Sequence, residues 1–308
     1  MVGSAIYRLL VQDKNIRLVT REKKDLDLLD NQQTRKFFEK QKFDEVYLAA
    51  AKVGGILSNS LYPADFIYQN ISIQNNVIHS CYESKVKKLL FLGSSCIYPR
   101  NSVQPISENS LLSGNLEKTN EPYALAKISG IKMCESYNIQ YGTDYRSIMP
   151  TNLYGINDNF HPENSHVIPG MIQRIHKAKQ ENSKKVFIWG TGSPKREFLH
   201  VNDMAKASLF IMSLSKDDYN QATSPNLSHI NVGWGIDYTI KELATMICNV
   251  IGYNGEIVFD LSKPDGTPRK VLDTQRINDL GWHPEINIKE GLLDTYKWYL
   301  ENINAVRI

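Results

Sequence analysis

Apolar residues along this chain follow two periods, and each period predicts a different element. Short apolar runs bounded by turn residues predict strands at residues 16–20, 45–50, 88–93, 144–149, 186–189, 229–232 and 256–259. Apolar residues that recur every three or four positions predict helices over about residues 2–10, 34–40, 68–84, 122–141, 167–179, 202–213 and 240–251. Pro122 suits the first turn of its helix.

The order of these elements predicts the fold class. Strands that alternate with helices indicate βαβ units, in which right-handed crossovers join parallel strands. We therefore expect an α/β fold with a doubly wound, Rossmann-type parallel sheet. Beyond about residue 151 the loops lengthen, which predicts a smaller α+β domain for substrate. We assign residues 1–155 to the first domain and 156–308 mainly to the second, with segments near 184–206 and 229–250 as candidates for returning to the first.

Composition and charge narrow the classes of partner. The chain has 308 residues, of which 42% are apolar and 22% charged, with a net charge of +3. This balance gives no argument for nucleic acid or a membrane surface as partner. The four cysteines are spaced too widely for a zinc site or a disulfide framework. Apolar runs stay far below the ~20 residues of a membrane span, and no signal peptide is recognisable. We expect a cytoplasmic protein without a metal site.

A tyrosine and a lysine four residues apart are the first candidates for chemistry. Tyr123 and Lys127 lie one turn apart on a predicted helix, so their side chains share a face. An ammonium group beside a phenol is expected to lower the phenol's pKa from about 10. A strand earlier in the chain ends in Gly93, Ser94 and Ser95, where parallel sheets bind ligands. Taken singly, these features also fit an exposed helix face and an ordinary turn.

Taken together, these residues resemble a known arrangement. Ser94, Tyr123 and Lys127 resemble the catalytic triad of the extended short-chain dehydrogenase/reductase superfamily, and REFLHVNDMA at 196–205 resembles a signature of its C-terminal half. Longer segments across essentially the whole chain resemble GDP-L-fucose synthases. They are AAAKVGGI at 49–56, GSSCIYP at 93–99, TNEPYA at 119–124, MPTNLYG at 149–155, NSHVIP at 164–169 and KPDGTPRK at 263–270.

The resemblance implies an epimerase-reductase that acts on a GDP-linked 4-keto-6-deoxy sugar with NADPH. Cys96 and His166 match the family's acid/base pair, although in isolation they also fit a small buried hydrophobe and a surface histidine. A thiolate would remove an acidified proton beside the ketone, and an imidazolium would return one from the opposite face. The thiol needs a cationic setting, which Lys127, the cofactor ring or His166 could supply. In the reduction, Tyr123 would donate a proton while Ser94 orients the carbonyl oxygen.

Further residues acquire binding roles from the resemblance. Arg21 follows a predicted strand where an arginine would bind the 2′-phosphate of NADPH, with Glu22 beside it. The implied cofactor residues are Gly3, Arg21, Leu92, Gly93, Ser94, Ser95, Lys127, Pro150, Thr151, Asn152, Leu153 and His166. The implied nucleotide-sugar residues are Arg174, Trp189, Arg196 and Asp265. Guanidinium groups pair with diphosphates, and indole rings stack on bases or sugars.

The first residues depart from the family pattern. Family members begin with an apolar strand and a Gly-x-x-Gly-x-x-Gly turn, of which this chain matches only the last glycine, Gly3. That strand lies inside the sheet in this family, so we expect a sheet that lacks its first strand. Its loss would leave unpaired backbone groups, which cost roughly 1–3 kcal/mol each. We also expect weak NADPH binding. Two explanations stay open: a start codon further upstream, which we favour, or a truncated product.

Three functional hypotheses follow. The first is conversion of GDP-4-keto-6-deoxy-D-mannose to GDP-L-fucose by 3,5-epimerisation and then 4-keto reduction. The second is a GDP-colitose-type enzyme, whose 3,6-dideoxy substrate needs only one epimerisation. The third, from a different class, is a truncated paralogue that binds a partner or a nucleotide without catalysis. The resemblance also implies a homodimer that packs through the helices at 68–84 and 122–141.

Overall fold

The chain folds into parallel strands flanked by helices. The computed structural model describes residues 1–162, 164–263 and 265–304; Glu163, residues 305–308, and Pro264 of the segment at 263–270 lie outside it. The helices are α1 (Val2–Leu10), α2 (Asn31–Lys40), α3 (Ile56–Leu61), α4 (Pro63–Glu83), α5 (Glu121–Tyr141), α6 (Val167–Gln180), α7 (Val201–Ser213), α8 (Lys216–Ala222), α9 (Ile240–Ile251), α10 (Gln275–Asp279) and α11 (Ile288–Glu301). The strands are β1 (Glu45–Leu48), β2 (Lys88–Leu92), β3 (Asp144–Pro150), β4 (Asn152–Tyr154), β5 (Lys185–Trp189), β6 (Lys195–His200), β7 (His229–Val232), β8 (Asp237–Thr239), β9 (Glu256–Asp260) and β10 (Arg269–Lys270).

The main sheet confirms the predicted α/β class. Its four strands run in the order β1-β2-β3-β7, and every neighbouring pair is parallel. Within the described residues, β1 pairs with β2 alone and its other edge is open. The strand predicted at residues 16–20 is wrong, because that segment has no regular structure. A strand exists only by pairing, and no described strand lies beside it to supply backbone partners.

Helices cover both faces of this sheet. On one face α1 packs against α7, and Ala5 and Ile6 of α1 join Leu90 of β2 in a shared apolar core. On the other face α4 packs against α5. A Cβ at Gly130 of α5 would lie 2.3 Å from the ring of Phe91, so a glycine is needed for this close approach of helix to strand. The approach fixes the first turns of α5 beside the carboxyl end of β2.

The second half of the chain builds a separate apolar core around α6, α9 and α11. Strands β5 and β9 form a two-stranded parallel sheet, while β6 pairs with β4, β8 and β10. Strand β6 was not predicted, since its sequence Lys-Arg-Glu-Phe-Leu-His carries charge in its first half. No helix in the described part of the chain combines the length and apolar character that crossing a bilayer requires.

Candidate active site

One large cavity opens at the carboxyl ends of β2 and β3. Its volume is about 750 Å3, within the range of small-molecule and cofactor sites. It is lined by all the residues expected to act in catalysis or to hold the cofactor. They are Gly3, Arg21, Leu92, Gly93, Ser94, Ser95, Cys96, Tyr123, Lys127, Pro150, Thr151, Asn152, Leu153 and His166. The fold therefore brings together residues that are far apart in sequence.

Ser94, Tyr123 and Lys127 lie together although they come from different elements. Ser94 follows β2, and its Oγ accepts a hydrogen bond from the Cys96 amide at 3.3 Å. Tyr123 lies in the first turn of α5, and the Ser94 side chain is near enough to its hydroxyl to influence the pKa of Tyr123. Lys127 is buried one turn further on, and its Nζ donates to the Leu92 carbonyl oxygen at 2.8 Å. The same Nζ is 5.9 Å from the centre of the Tyr123 ring.

Burial controls the ionisation of this tyrosine and lysine. Burial raises the pKa of Tyr123, and the nearby Cys96 raises it further, whereas the hydrogen bond with Ser94 lowers it. Burial lowers the pKa of Lys127 to about 8. The expectation that the ammonium group lowers the pKa of the phenol is therefore wrong, because desolvation outweighs it. Tyr123 stays protonated at neutral pH, as a group that donates a proton to a carbonyl oxygen must be.

Cys96 is the thiol that can reach the cavity. Among the four cysteines it alone is partly exposed, whereas Cys81, Cys134 and Cys248 are buried. It lies in a turn of 3₁₀ helix directly after Ser94. Two donors approach its Sγ: Asn120 Nδ2 at 3.4 Å and Lys270 Nζ at 3.7 Å. The sulfur thus accepts one hydrogen bond from a neutral amide and one from a lysine side chain.

His166 lies just before the first residue of α6 and faces the cavity. Its side chain is exposed within the open cavity. Desolvation by the surrounding protein atoms nevertheless lowers the pKa of His166, and the positive charge of Lys270 lowers it further. The imidazole is therefore neutral at neutral pH in the free protein, and it does not provide the positive charge that Cys96 needs.

The opposite part of the cavity has the chemistry of a dinucleotide site. Its wall includes Gly3 in the first turn of α1, and the amides at a helix N-terminus attract phosphate. Arg21 lines the same cavity, with its guanidinium 5.4 Å from the centre of the Phe37 ring. Lys127 of α5 also lines this cavity. A helix N-terminus, an arginine and a buried lysine along one cavity fit a phosphorylated dinucleotide.

The residues expected to hold the nucleotide sugar divide between two places. Arg196 lines the cavity, and its Nη2 donates to the Asp265 carbonyl oxygen at 3.4 Å. Trp189 lies outside the cavity at the end of β5, with the Arg174 guanidinium 5.0 Å from its ring centre. The Asp265 carboxylate accepts from the backbone amide of Thr191 at 2.7 Å and from its hydroxyl at 2.8 Å. Arg196 thus connects the cavity to a neighbouring cluster of aromatic and charged groups.

Sequence reasoning missed Lys270 and Asn120 as members of the site. Lys270 follows a loop without periodic pattern and is 174 residues from Cys96. It approaches the thiol because β10 pairs in parallel with β6 and places Lys270 beside Arg196. Only the quoted segments at 119–124 and 263–270 could have pointed to these two residues. Within the described ranges, no group of three or more His, Cys, Asp or Glu side chains is placed to hold a metal ion.

Comparisons with known proteins agree with the geometry. The chain is 58% identical to a GDP-L-fucose synthase from Escherichia coli (strain K12), over 100% of this chain and 96% of the relative. It is 35% identical to a GDP-L-colitose synthase from Yersinia pseudotuberculosis, over 99% and 96%. A GDP-D-glycero-L-gluco-heptose synthase from Campylobacter jejuni, solved in the presence of NADPH, superposes with a TM-score of 0.91 at 37% identity, covering 97% of this chain and 95% of that one.

The family model described as "NAD dependent epimerase/dehydratase family" matches residues 1–233. The resemblance drawn from the motifs is thereby confirmed. By this match and by its identity to GDP-L-fucose synthases over its whole length, the chain belongs to the NAD dependent epimerase/dehydratase family.

Proposed function

We propose that this chain converts GDP-4-keto-6-deoxy-D-mannose to GDP-L-fucose, with 3,5-epimerisation followed by NADPH-dependent reduction of the 4-keto group. The observation that carries the proposal is the single cavity that holds two sets of chemical groups. One set is a serine, tyrosine and lysine suited to carbonyl reduction, and the other is a cysteine and a histidine suited to carbon acid chemistry. The whole-length relatives named GDP-L-fucose synthases support the same conclusion.

In the reductive step the chain orients the carbonyl and supplies a proton. NADPH, when bound, supplies the hydride. Tyr123 donates its phenolic proton to the carbonyl oxygen, and its raised pKa keeps that proton available. Ser94, whose side chain lies near the tyrosine hydroxyl, directs the carbonyl oxygen toward it. Lys127 of α5, whose Nζ lies beside the end of β2, would bind the ribose of the cofactor, and Arg21 would bind the 2′-phosphate.

In the epimerisation step Cys96 and His166 move protons at the carbons beside the ketone. The Cys96 thiolate takes a proton from the ring carbon, so that a C–H bond breaks and an S–H bond forms while the charge moves to the carbonyl oxygen. His166 returns a proton from the opposite face. Because the imidazole of the free protein is neutral, it takes this proton from solvent once the negative charge of the enolate develops nearby.

The nucleotide part of the substrate binds on the side of Arg196. We propose that Arg196 and Arg174 hold the diphosphate, that Trp189 stacks on the base or sugar, and that Asp265 fixes this loop through Thr191. Accordingly, residues 1–155 mainly hold the cofactor, and residues 156–308 mainly hold the substrate.

We also propose a cytoplasmic homodimer that packs through α4 and α5. These helices expose large side chains on their outer faces, including Tyr68 and Ile139. Tyr82 and Tyr141 stack with ring centres 4.2 Å apart and join the two helices. Exposed aromatic groups on a rigid helix pair are typical of protein interfaces.

Product analysis in heavy water tests the proposed reaction. The purified chain is incubated in D2O with NADPH and GDP-4-keto-6-deoxy-D-mannose, and the sugar is examined by NMR. The expected product is GDP-L-fucose with deuterium at C3 and C5 and one NADPH oxidised per sugar. Reduction without deuterium at either carbon would contradict the epimerase assignment. The same assay with the 3,6-dideoxy ketosugar tests the colitose alternative, for which deuterium at C5 alone and faster turnover are expected.

Two cysteine variants show whether the thiol acts where we place it. Cys96→Ser should lose at least about 100-fold in deuterium incorporation and keep a slow reduction of the unepimerised ketosugar. Cys248→Ala, which removes a buried thiol from the core of the second half, is the matched control and should keep both steps. Equal loss of both steps in Cys96→Ser would contradict the assigned role.

A further inference from the structure

Lys270 contacts the sulfur atom at the centre of the proposed epimerisation site. Its Nζ lies 3.7 Å from Cys96 Sγ, within hydrogen-bonding distance for sulfur, and its side chain is half-buried. It belongs to β10, which pairs with β6 on one side. The backbone amide of Leu272, two residues further on, donates to the buried carboxylate of Glu197 at 2.9 Å. Lys270 is therefore held by the fold and is not a mobile surface lysine.

The other cations near Cys96 are already bound to other groups. Lys127 donates to the Leu92 carbonyl oxygen at 2.8 Å. Arg196 shares an electrostatic interaction with Cys96, but its guanidinium donates to the carbonyl oxygens of Lys195 at 2.8 Å and of Asp265 at 3.4 Å. Both cations therefore donate to backbone oxygens.

The remaining ionisable groups add no positive charge. Tyr123 faces Cys96 from α5 as a neutral phenol, and His166 faces Lys270 as a neutral imidazole. The Glu117 carboxylate also lines this cavity and interacts with Arg196 and, at 3.2 Å, with Arg100. Among the described groups that face the sulfur, a cation that donates directly to it is found only in Lys270.

We propose that Lys270 is the positioning residue that stabilises negative charge on the Cys96 sulfur when this group acts as a base. This inference rests on the proposed role of Cys96 as the base of the epimerisation. The ammonium stabilises negative charge on Sγ and disfavours positive charge on the facing imidazole of His166. One lysine thus sets the direction of proton transfer in the pair: it favours the sulfur as the base, and the histidine carries a proton only after negative charge forms on the substrate.

The rate at which Cys96 is alkylated measures its thiolate fraction without any substrate. The full chain is treated with iodoacetamide between about pH 5.5 and 9.5, and modification of Cys96 is followed by mass spectrometry. Selectivity is favourable because the other three thiols are buried. We expect Lys270→Gln to slow the alkylation at pH 7 about tenfold and to move the rate–pH curve upward by about one pH unit. Lys270→Arg should restore most of the wild-type curve.

Control variants separate the effect of positive charge at the Cys96 sulfur from changes in surface charge and in folding. Lys289→Gln removes one charge from the exposed surface of α11 and should leave the curve unchanged. Circular dichroism should show the same fold for every variant. A curve for Lys270→Gln that coincides with that of the wild-type protein would overturn the proposal. A shift in Arg196→Met that exceeds the shift in Lys270→Gln would assign the role to the arginine instead.

Deuterium incorporation then tests whether the charge of Lys270 contributes to the epimerisation. With the ketosugar in D2O, Lys270→Gln should lose about tenfold in kcat for exchange at the sugar carbons near pH 7 and recover toward pH 9, where the thiol ionises unaided. A pure increase in KM with an unchanged pH profile would mean that the lysine only binds substrate, and it would overturn the inference. If the wild-type protein shows no exchange, the proposed function fails, whereas the alkylation result still decides the role of Lys270.

Discussion

Replacement of Glu197 by glutamine tests how one buried carboxylate joins the two halves of the site. Glu197 lies on β6 and is fully buried. One of its carboxylate oxygens accepts from the Gly235 amide at 2.7 Å and the other from the Leu272 amide at 2.9 Å. Its backbone oxygen accepts from Thr151 Oγ1 at 3.2 Å and from Asn152 Nδ2 at 2.8 Å. Glu197 therefore fixes the loop after β7, the segment after β10, and the residues Thr151 and Asn152 that line the cavity.

The cost of Glu197→Gln follows from this geometry. An amide offers one acceptor oxygen, so its NH2 group must face one of two backbone N–H donors. The variant loses a hydrogen bond to a charged acceptor, about 1.5–3 kcal/mol, and leaves a buried N–H unpaired, about 1–3 kcal/mol. Removal of a buried charge offsets part of this loss, since burial is the largest cause that raises the pKa of Glu197. We expect the free energy of unfolding to fall by about 3 kcal/mol.

Urea denaturation followed by far-ultraviolet circular dichroism measures this change. The control is Glu256→Gln, because Glu256 is exposed and pairs with Lys185 at 3.1 Å on the surface; its loss should stay below about 0.5 kcal/mol. The Cys96 alkylation curve should also shift in Glu197→Gln, since the segment that carries Lys270 is released. A loss of less than about 1 kcal/mol for Glu197→Gln would refute the argument from unpaired donors.

Two further predictions concern stability. Gly130→Ala places a Cβ 2.3 Å from the Phe91 ring. Overpacking should therefore lower the free energy of unfolding by about 2 kcal/mol, although alanine has the better helix propensity. An equal or higher midpoint in urea titrations would contradict this. Burial raises the pKa of Asp158 to about 7, so its contribution to stability is full below about pH 4 and is lost as the pH rises through about 7. Relative to the wild-type protein, the free energy of unfolding of Asp158→Asn should therefore rise by up to about 4 kcal/mol as the pH increases from about 4 to 7. Stability–pH curves that run parallel for the two proteins would contradict the assigned burial.

The elements that were predictable from sequence carry their own local pattern. The apolar centre of β2 predicted a strand, and the glycine and serines that follow it predicted that ligands bind at its carboxyl end. Tyr123 and Lys127 were found because four residues make one helical turn. The strand predicted at residues 16–20 failed because apolar character does not supply a pairing partner. Local pattern thus identifies an element only where the fold also provides its neighbour.

The charges of the site depend on contacts that sequence does not encode locally. Lys270 reaches Cys96 only through the pairing of β10 with β6. The expected direction for the pKa of Tyr123 was wrong because its burial, which depends on how α5 packs, exceeds the effect of a lysine one turn away. Spacing identified which residues meet, whereas their ionisation required the packed structure.

The path of the chain between its two halves limits how this protein can be divided. The chain leaves the main sheet after β3, and β7 (His229–Val232) later returns to pair with Ser147–Pro150. Helix α7, between them in sequence, covers the apolar side of α1. A fragment that ends at residue 155 would expose both of these surfaces, so the halves are not interchangeable modules. A recombinant of two relatives with its crossover in this interval would combine a β3 and an α1 from one parent with a β7 and an α7 from the other, so we expect it to be less stable than either parent.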